Sequence, residues 1–437
     1  MLDLKHNCFK QIRFMKPLQQ SFGNWVDGAK FWGREPEIEL FSAKVRAGAH
    51  LLLTAQRRMG KTSLMREAAR RIEIEGDRIP LFVDLQKAAS PADAIVELSL
   101  ATRHYAPLWA KTKSVFGNIL TSIRENVETL QLNEVSVTLR AGLNAGNWAA
   151  KGDELFVHLA SAEKPVVLLL DELPLLLLSI LRGRDFATDP SAQITSEGRA
   201  AANSFMTWLR ACCLHHQNRV TVVVSGSVGL EPILRQAAIS ASANHLQAFE
   251  LKPWDQPTAQ GCIQALALGY DLIIAPETAV AVARRLDYCV PHHVQMFFDH
   301  LKDRCVRERT LTVPAEWVDA VYEQEMLGVR GHVELSHYEE RLGWVLTGSK
   351  KILAMELLTE AAVAGPLTEV AIAIVARGYP EEPKIWEALR EIIWVLEHDG
   401  YLMPVAKDYT FVSPLLRDWW RKRHSLGYIP AAQRPAT

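Results

Sequence analysis

The sequence has few of the features that would place it outside the soluble globular class. Its six cysteines, Cys8, Cys212, Cys213, Cys262, Cys289 and Cys305, form no Cys-x-x-Cys pair. Neighbouring Cys212 and Cys213 are badly placed to bridge each other, so buried thiols in a reducing cytosol are expected rather than a disulfide framework. Net charge is nearly absent: 49 Lys plus Arg against 50 Asp plus Glu leave −1. That excludes a global pull toward DNA or anionic membrane, and any nucleic-acid contact would need a local basic patch. The N-terminal stretch MLDLKHNCFKQIRFMKPLQQ has scattered charges and no apolar core, so no secretory signal is expected. The densest apolar run, residues 166–181, is interrupted by Asp171, Glu172 and Pro174, which leaves it too short and too charged to span a bilayer. There is no repeat, no low-complexity segment and no Gly-x-Ser-x-Gly elbow. The pairs His215-His216 and His292-His293 have no acidic or cysteine partner at ligand spacing, so no zinc site is expected. A cytoplasmic protein is the resulting expectation.

What is present is an alternation of apolar runs with helical patterns. The length of 437 residues predicts two or three domains, and 49% hydrophobic with 23% charged residues gives ample core. Residues 51–54, 79–85, 165–172 and 219–227 read as buried strands, the last rich in β-branched valine. Residues 91–130 read as mostly helical, and EVSVTLRAGL (134–143) alternates like a half-buried strand. Strands separated by helices predict an α/β fold: a parallel sheet of the P-loop NTPase kind with helices on both faces. LKPWDQP (251–257) reads as the exit from it. The expected division is an N-terminal extension (1–30), a P-loop ATPase domain (31–255), a helical lid (256–340) and a winged-helix domain (341–430). The last rests on a helix followed by HDGYL, a short turn and YTFVS.

The chemistry concentrates in AQRRMGKTS, residues 55–63. A strand precedes it and a helix follows, the context in which consecutive backbone N–H groups cradle phosphate oxygens. Ala55, Gln56, Arg57, Arg58 and Met59 form the loop, Gly60 permits close approach, and Ser63 opens the helix. Lys61 is the phosphate lysine and Thr62 the Mg²⁺ hydroxyl. Ala55 stands where such loops open on glycine, tolerable if its φ is negative and harmful if positive. A partner acidic motif follows the third strand: Asp171 for Mg²⁺ and Glu172 to orient or deprotonate the attacking water. Ser225 or Ser227, after the fourth strand, is placed to sense the γ-phosphate. Arg182, Arg184 and Arg235 are candidate arginine fingers, with Arg235 favoured.

On FWGRE (31–35), AQRRMGKTSL (55–64), VLLLDEL (167–173), VVVSGS (222–227) and FVSPLLRDWWRKR (411–423), the chain resembles P-loop ATPases of the AAA+/STAND lineage. The closest likeness within it is to prokaryotic, archaeal-type ATPases with a C-terminal winged helix. The resemblance implies ATP or dATP with Mg²⁺, Gly33 and Arg34 near the base, and Pro291 of YCVPHH (288–293) at a hinge. It also implies nucleotide-governed domain packing, homo-oligomers, and a protein partner or effector in a defence or signalling system. The chain departs from the pattern at Ala55, at the missing arginine after VVVSGS and at the missing hinge glycine, which bear on turnover more than on binding.

The expected function is an ATP-binding, slowly hydrolysing switch. Two alternatives stay open: a DNA-associated AAA+ ATPase resembling initiators or transposon regulators, and a non-hydrolysing nucleotide-binding scaffold. DNA is not favoured, because the helix PKIWEALREIIWVLEH is slightly acidic where phosphate contacts need surplus Lys and Arg. Trp419 and Trp420 are expected to lock the terminal helix in place.

Overall fold

The computed structural model describes residues 16–21, 25–121, 132–183, 189, 192–380, 382 and 384–435. Its centre is a five-stranded sheet of β1 (Leu51–Thr54), β2 (Ile79–Asp84), β3 (Val166–Asp171), β4 (Val220–Ser225) and β5 (Gln247–Glu250). The spatial order is β2-β3-β4-β1-β5 and every pairing is parallel. Both faces of the sheet are covered, which is why β3 and β4 are apolar without alternation and buried at every position. Leu51, Leu53, Val167, Leu169 and Val223 point into one core with Ile38, Phe41 and Leu64. Leu52, Leu168, Leu170, Val222 and Val224 point into the other. This is a P-loop NTPase fold, with β4 inserted between the strand that feeds the phosphate loop and the strand that ends in Asp171.

The helices that matter for the site are α1 (Glu35–Arg46), α2 (Lys61–Glu75) and α3 (Leu173–Arg182). Beyond the sheet come α4 (Gln256–Gly269), α5 (Pro291–Glu308) and α6 (Val329–Val345). The two-residue strands β6 (Ile273–Ile274) and β7 (Thr312–Val313) pair beside them. Then follow α7 (Ser349–Val363), α8 (Glu369–Arg377), α9 (Ile385–His398), the antiparallel hairpin β8 (Leu402–Val405) and β9 (Asp408–Phe411), and α10 (Pro414–His424). Trp419 and Trp420 are on the buried face of α10, and Trp420 Nε1 donates to Thr359 Oγ1 of α7 at 3.2 Å. Among the described residues no helix is long and apolar enough to cross a membrane.

One segment departs from the sequence expectation. EVSVTLRAGL lies in a helix, Leu132–Gly142, not a strand. Val135, Thr138 and Leu139 are buried at helical spacing while Val137 is 68% exposed, and Arg140 reaches Asp93 and Glu97 on the neighbouring helix Pro91–Ala101. The alternation of valines was a pattern that helical packing overrode. Helices do occupy Pro91–Ala101, Ala106–Val115 and Gly117–Thr121; residues 122–130 of that expectation lie outside the described residues, as does Cys8.

Candidate functional site

Strand β1 runs into the loop 55–60, and α2 starts at Lys61. Two loop residues have left-handed backbone, Arg58 (φ 68°) and Gly60 (φ 90°); Ala55 does not. The methyl at Ala55 is therefore no obstacle to the loop conformation. At Gly60 an added Cβ would meet nothing within 4 Å, so the backbone angle alone calls for glycine there. The Lys61 ammonium donates to Ala55 O at 2.7 Å and Gln56 O at 3.3 Å, spanning the loop from within. Burial lowers the Lys61 pKa, opposed by the nearby Glu172 and Asp171 carboxylates.

At the end of β3, Asp171 is buried and gathers three donors. Thr62 Oγ1 reaches its Oδ2 at 2.7 Å, the Glu172 N–H its Oδ1 at 3.1 Å, and the Ser225 hydroxyl also its Oδ1. A hydroxyl and a carboxylate oxygen this close form a hard-oxygen donor pair suited to Mg²⁺. Glu172 has left-handed backbone (φ 60°) at the junction of β3 with α3, which starts at Leu173 and has Pro174 in its first turn. Its Oε2 accepts from Ser227 N–H at 3.0 Å and Ser227 Oγ at 2.8 Å. Burial, and next the Asp171 charge, push the Glu172 pKa up, against the bonds from Ser227 and the charge of Lys61.

These groups share one cleft of about 350 Å³. Its lining includes Lys30, Arg34, Arg57, Arg58, Lys61 and Arg341 against only Asp171 and Glu172, so it is a cationic cavity with one acidic corner. Nη1 of Arg57 and Nη1 of Arg341 are buried without a hydrogen-bond partner. Unpaired buried guanidinium donors are costly, and a polyphosphate supplies the acceptors they lack. The lining also has an aromatic and apolar part: Trp25, Phe31, Trp32, Trp254 and Pro291. Size, charge and this mixed lining all fit a nucleotide.

Of the residues singled out from the sequence, Arg34, Arg57, Arg58, Met59, Gly60, Lys61, Thr62, Ser63, Asp171, Glu172, Ser227 and Pro291 come together in this cleft. Arg34 is buried and ties Met59 O (3.3 Å) to Glu37 (2.6 Å). Others are placed elsewhere. Ser225 is fully buried on Asp171 and does not line the cleft; Ser227 does. Gly33 (φ 67°) packs on Thr258 and Trp254, behind the cleft wall. Gln56 is buried against Gly400, and Ala55 faces a smaller space shared with His398 and Asp399. Arg235 lies over the Trp394 ring at 5.0 Å, away from the cleft, and Arg182 donates to Trp344 O at 2.7 Å. Neither lines the cleft, because each is held by packing against the C-terminal helices; Arg184 lies outside the described residues. Arg341, Trp25 and Gln295 carry no motif and were not expected at the site, while His292 and Trp254 were noted in YCVPHH and LKPWDQP but not as cleft residues.

The phosphate loop is also gripped from the C-terminal side. Arg58 Nη2 donates to Glu334 Oε2 of α6 at 2.9 Å, and His292 Nε2 meets the same oxygen at 3.2 Å. Tyr338 of α6 donates to Arg57 O at 3.4 Å. After α9, Asp399 Oδ1 accepts from Gly229 N–H at 3.2 Å, and Gly400 (φ 75°) approaches so closely that a Cβ would lie 2.8 Å from Gln56.

The fold and this constellation define the class: a P-loop NTPase architecture whose loop, acidic strand end and surrounding helices enclose one cleft. Among solved structures, the Walker-type ATPase PABY2304 of Pyrococcus abyssi is similar over 92% of this chain and 99% of its own, with a TM-score of 0.57 and 13% identity. The Aeropyrum pernix ORC2 protein, solved as ADPNP–ADP complexes, is similar over 93% and 98%, with a TM-score of 0.50 and 13% identity. No family model and no curated protein matches the sequence.

Proposed function

We propose that the protein is an ATP-binding, slowly hydrolysing switch that couples nucleotide state to the packing of its C-terminal helices. The observation that carries this reading is the double engagement of residues 55–62. Lys61 and Thr62 face the cleft with Asp171 and Glu172, while Gln56, Arg57 and Arg58 are bound by Gly400, Tyr338 and Glu334. A loop shared in this way cannot rearrange around a phosphate without disturbing the C-terminal contacts.

In this reading Lys61 leaves the carbonyls of Ala55 and Gln56 for the β- and γ-phosphates, and the loop N–H groups around Gly60 cradle them. Thr62 and Asp171 would hold Mg²⁺, which would supply positive charge against the phosphate oxygens. Glu172 orients the attacking water and takes its proton. Its bonds to Ser227 hold the carboxylate in place, so Ser227 links the acidic corner to the strand beside the loop. Arg57 and Arg341 offer their unpaired Nη1 donors to the polyphosphate from two sides. The aromatic residues of the lining, Trp25, Trp32 and Trp254, offer the base surfaces to stack on. The sequence has no guanine-specific Asn/Thr-Lys-x-Asp motif, which supports adenine over guanine. The helices α4–α6 then act as a lid, and α7–α10 with the β8–β9 hairpin act as a winged-helix module that meets a protein partner.

Steady-state ATP hydrolysis by the purified protein, with and without duplex DNA, tests this beside Lys61→Ala and Glu172→Gln. DNA-independent turnover lost in both variants supports the switch. Nucleotide binding untouched by Lys61→Ala would sink it, and turnover that needs DNA would replace it with a DNA-associated ATPase.

A further inference from the structure

We infer that Gln56 sets the release point of the switch. Its amide is stored without partners beneath the turn after α9, so that turn is seated on the phosphate loop against a cost that a bound phosphate relieves. This rests on the switch reading and adds what tips its balance.

Gln56 belongs to the phosphate loop but not to the cleft, which its neighbours from Arg57 onward line. It is 6% exposed. Both ends of its amide, Oε1 and Nε2, are buried with no hydrogen-bond partner among the described residues. Exchanging the two ends does not help, since a flip only replaces one unpaired group by the other. The side chain is covered by a glycine. A Cβ on Gly400 would lie 2.8 Å from Gln56 Cγ, 2.9 Å from its Cβ and 3.0 Å from its Cδ. A cavity of about 20 Å³, with His398 and Asp399 in its wall, is lined by Ala55 and Arg57 but not by Gln56. The turn therefore presses on the stem of the side chain and offers nothing to its head.

A buried amide with nothing to bond loses the hydrogen bonds it makes in water, and that loss opposes whichever arrangement buries it. Other contacts hold the arrangement together. Asp399 takes the Gly229 N–H, Tyr338 reaches Arg57 O, and the 3% exposed Tyr401 donates to Tyr338 O at 2.6 Å. The docked turn is thus held by a few polar bonds and opposed by an unpaired amide at its closest contact.

The same residue is also held from the cleft. Lys61 Nζ donates to Gln56 O at 3.3 Å and to Ala55 O at 2.7 Å. A phosphate that draws the ammonium away frees both carbonyls, and the loop loses its inner brace. Gln56 has its carbonyl on Lys61 and its side chain under Gly400, so movement of its backbone is felt by the turn. Movement that exposes the amide regains its hydrogen bonds, and the undocked arrangement gains population.

Gln56→Met tests this, because methionine keeps an unbranched side chain of similar size and removes the unpaired amide. Without nucleotide, the full-length variant should have an apparent Tm raised by roughly 1–3 °C, whereas losing a bonded amide would lower it. The docked turn is then harder to release, so Mg-ATP should bind roughly tenfold more weakly by calorimetric titration. Tyr338 does not line the cleft, and Tyr338→Phe removes its bond to the loop. Added to Gln56→Met, it should bring the affinity back toward wild type. A Tm unchanged or lowered in both Gln56→Met and Gln56→Leu would overturn the inference, as would an ATP affinity within twofold of wild type. An affinity loss that Tyr338→Phe does not reverse would confine the role of Gln56 to the loop and overturn it too. Wild-type protein that binds no Mg-ATP would overturn the switch reading and the inference with it; a raised Tm in Gln56→Met sets that failure apart from a failure of the packing argument.

Discussion

Lys61 is enclosed, and the charges that favour its ammonium, Glu172 and Asp171, belong to the same corner. Lys61→Ala should therefore weaken Mg-ATP binding by roughly 10- to 100-fold, as expected for a lost charged hydrogen-bond donor, measured by calorimetric titration. Glu172→Gln should leave binding within a few-fold while lowering turnover by about 10²- to 10⁴-fold. Glu67 gives a residue-scale test of pH. Burial alone would push its carboxyl up, but the Arg70 and Arg71 guanidiniums and the Gly28 amide hold it down at about 2. A carboxylate with a depressed folded pKa contributes stability above its unfolded pKa, lost as pH falls from the ordinary carboxylate range toward 2. Wild type should lose roughly 2 kcal/mol through this group between about pH 5 and pH 2, and Glu67→Gln should flatten that part of the denaturation profile. Lys61, Thr62, Asp171 and Glu172 were legible in the sequence because each sits at a fixed offset from a strand end. Arg341 was not: it meets the cleft through the path of α6, and no local pattern marks it. Ser225 and Ser227 could not be told apart from sequence either, since β4 ends at Ser225, which turns inward to Asp171, and the turn that follows carries Ser227 to Glu172.

The strands β1, β3 and β4 read correctly because burial on both faces makes them continuous apolar runs. Leu132–Gly142 misread because Val135, Val137 and Leu139 alternate by chance within a helix. At this scale the decisive contacts are those of α6 with the phosphate loop. Glu334 takes Arg58 and His292 together, with Arg58 holding left-handed backbone at φ 68°. Glu334→Ala leaves that guanidinium and imidazole without their shared acceptor. It should change ATP affinity by several-fold although Glu334 does not line the cleft, and a double-mutant cycle with Arg58→Ala should show coupling of about 1 kcal/mol or more. Additive effects would mean that α6 merely lies beside the loop. Gly400→Ala acts from the other side: a Cβ 2.8 Å from Gln56 at φ 75° is both crowded and strained, and should cost about 1 kcal/mol or more in thermal unfolding.

Across the whole molecule, the phosphate loop is the place where the sheet, α5–α6 and the turn after α9 meet. Nucleotide bound there stabilises whichever arrangement it fits, by about 2.7 kcal/mol when present at 100 times its Kd. A chain with 49% hydrophobic residues and a net charge of −1 carries no global electrostatic drive toward a partner. In the proposed switch, a change that a partner reads comes from the packing of the C-terminal helices. Hydrogen–deuterium exchange of the full chain, without nucleotide, with Mg-ADP and with Mg-ATP in the Glu172→Gln variant, reads that packing directly. The account predicts that ATP and ADP differ in the protection of α6 and of residues 397–401, far in sequence from the loop. Differences confined to residues 55–63, 171–172 and 225–227 would contradict it, and would leave a nucleotide site with no switch attached.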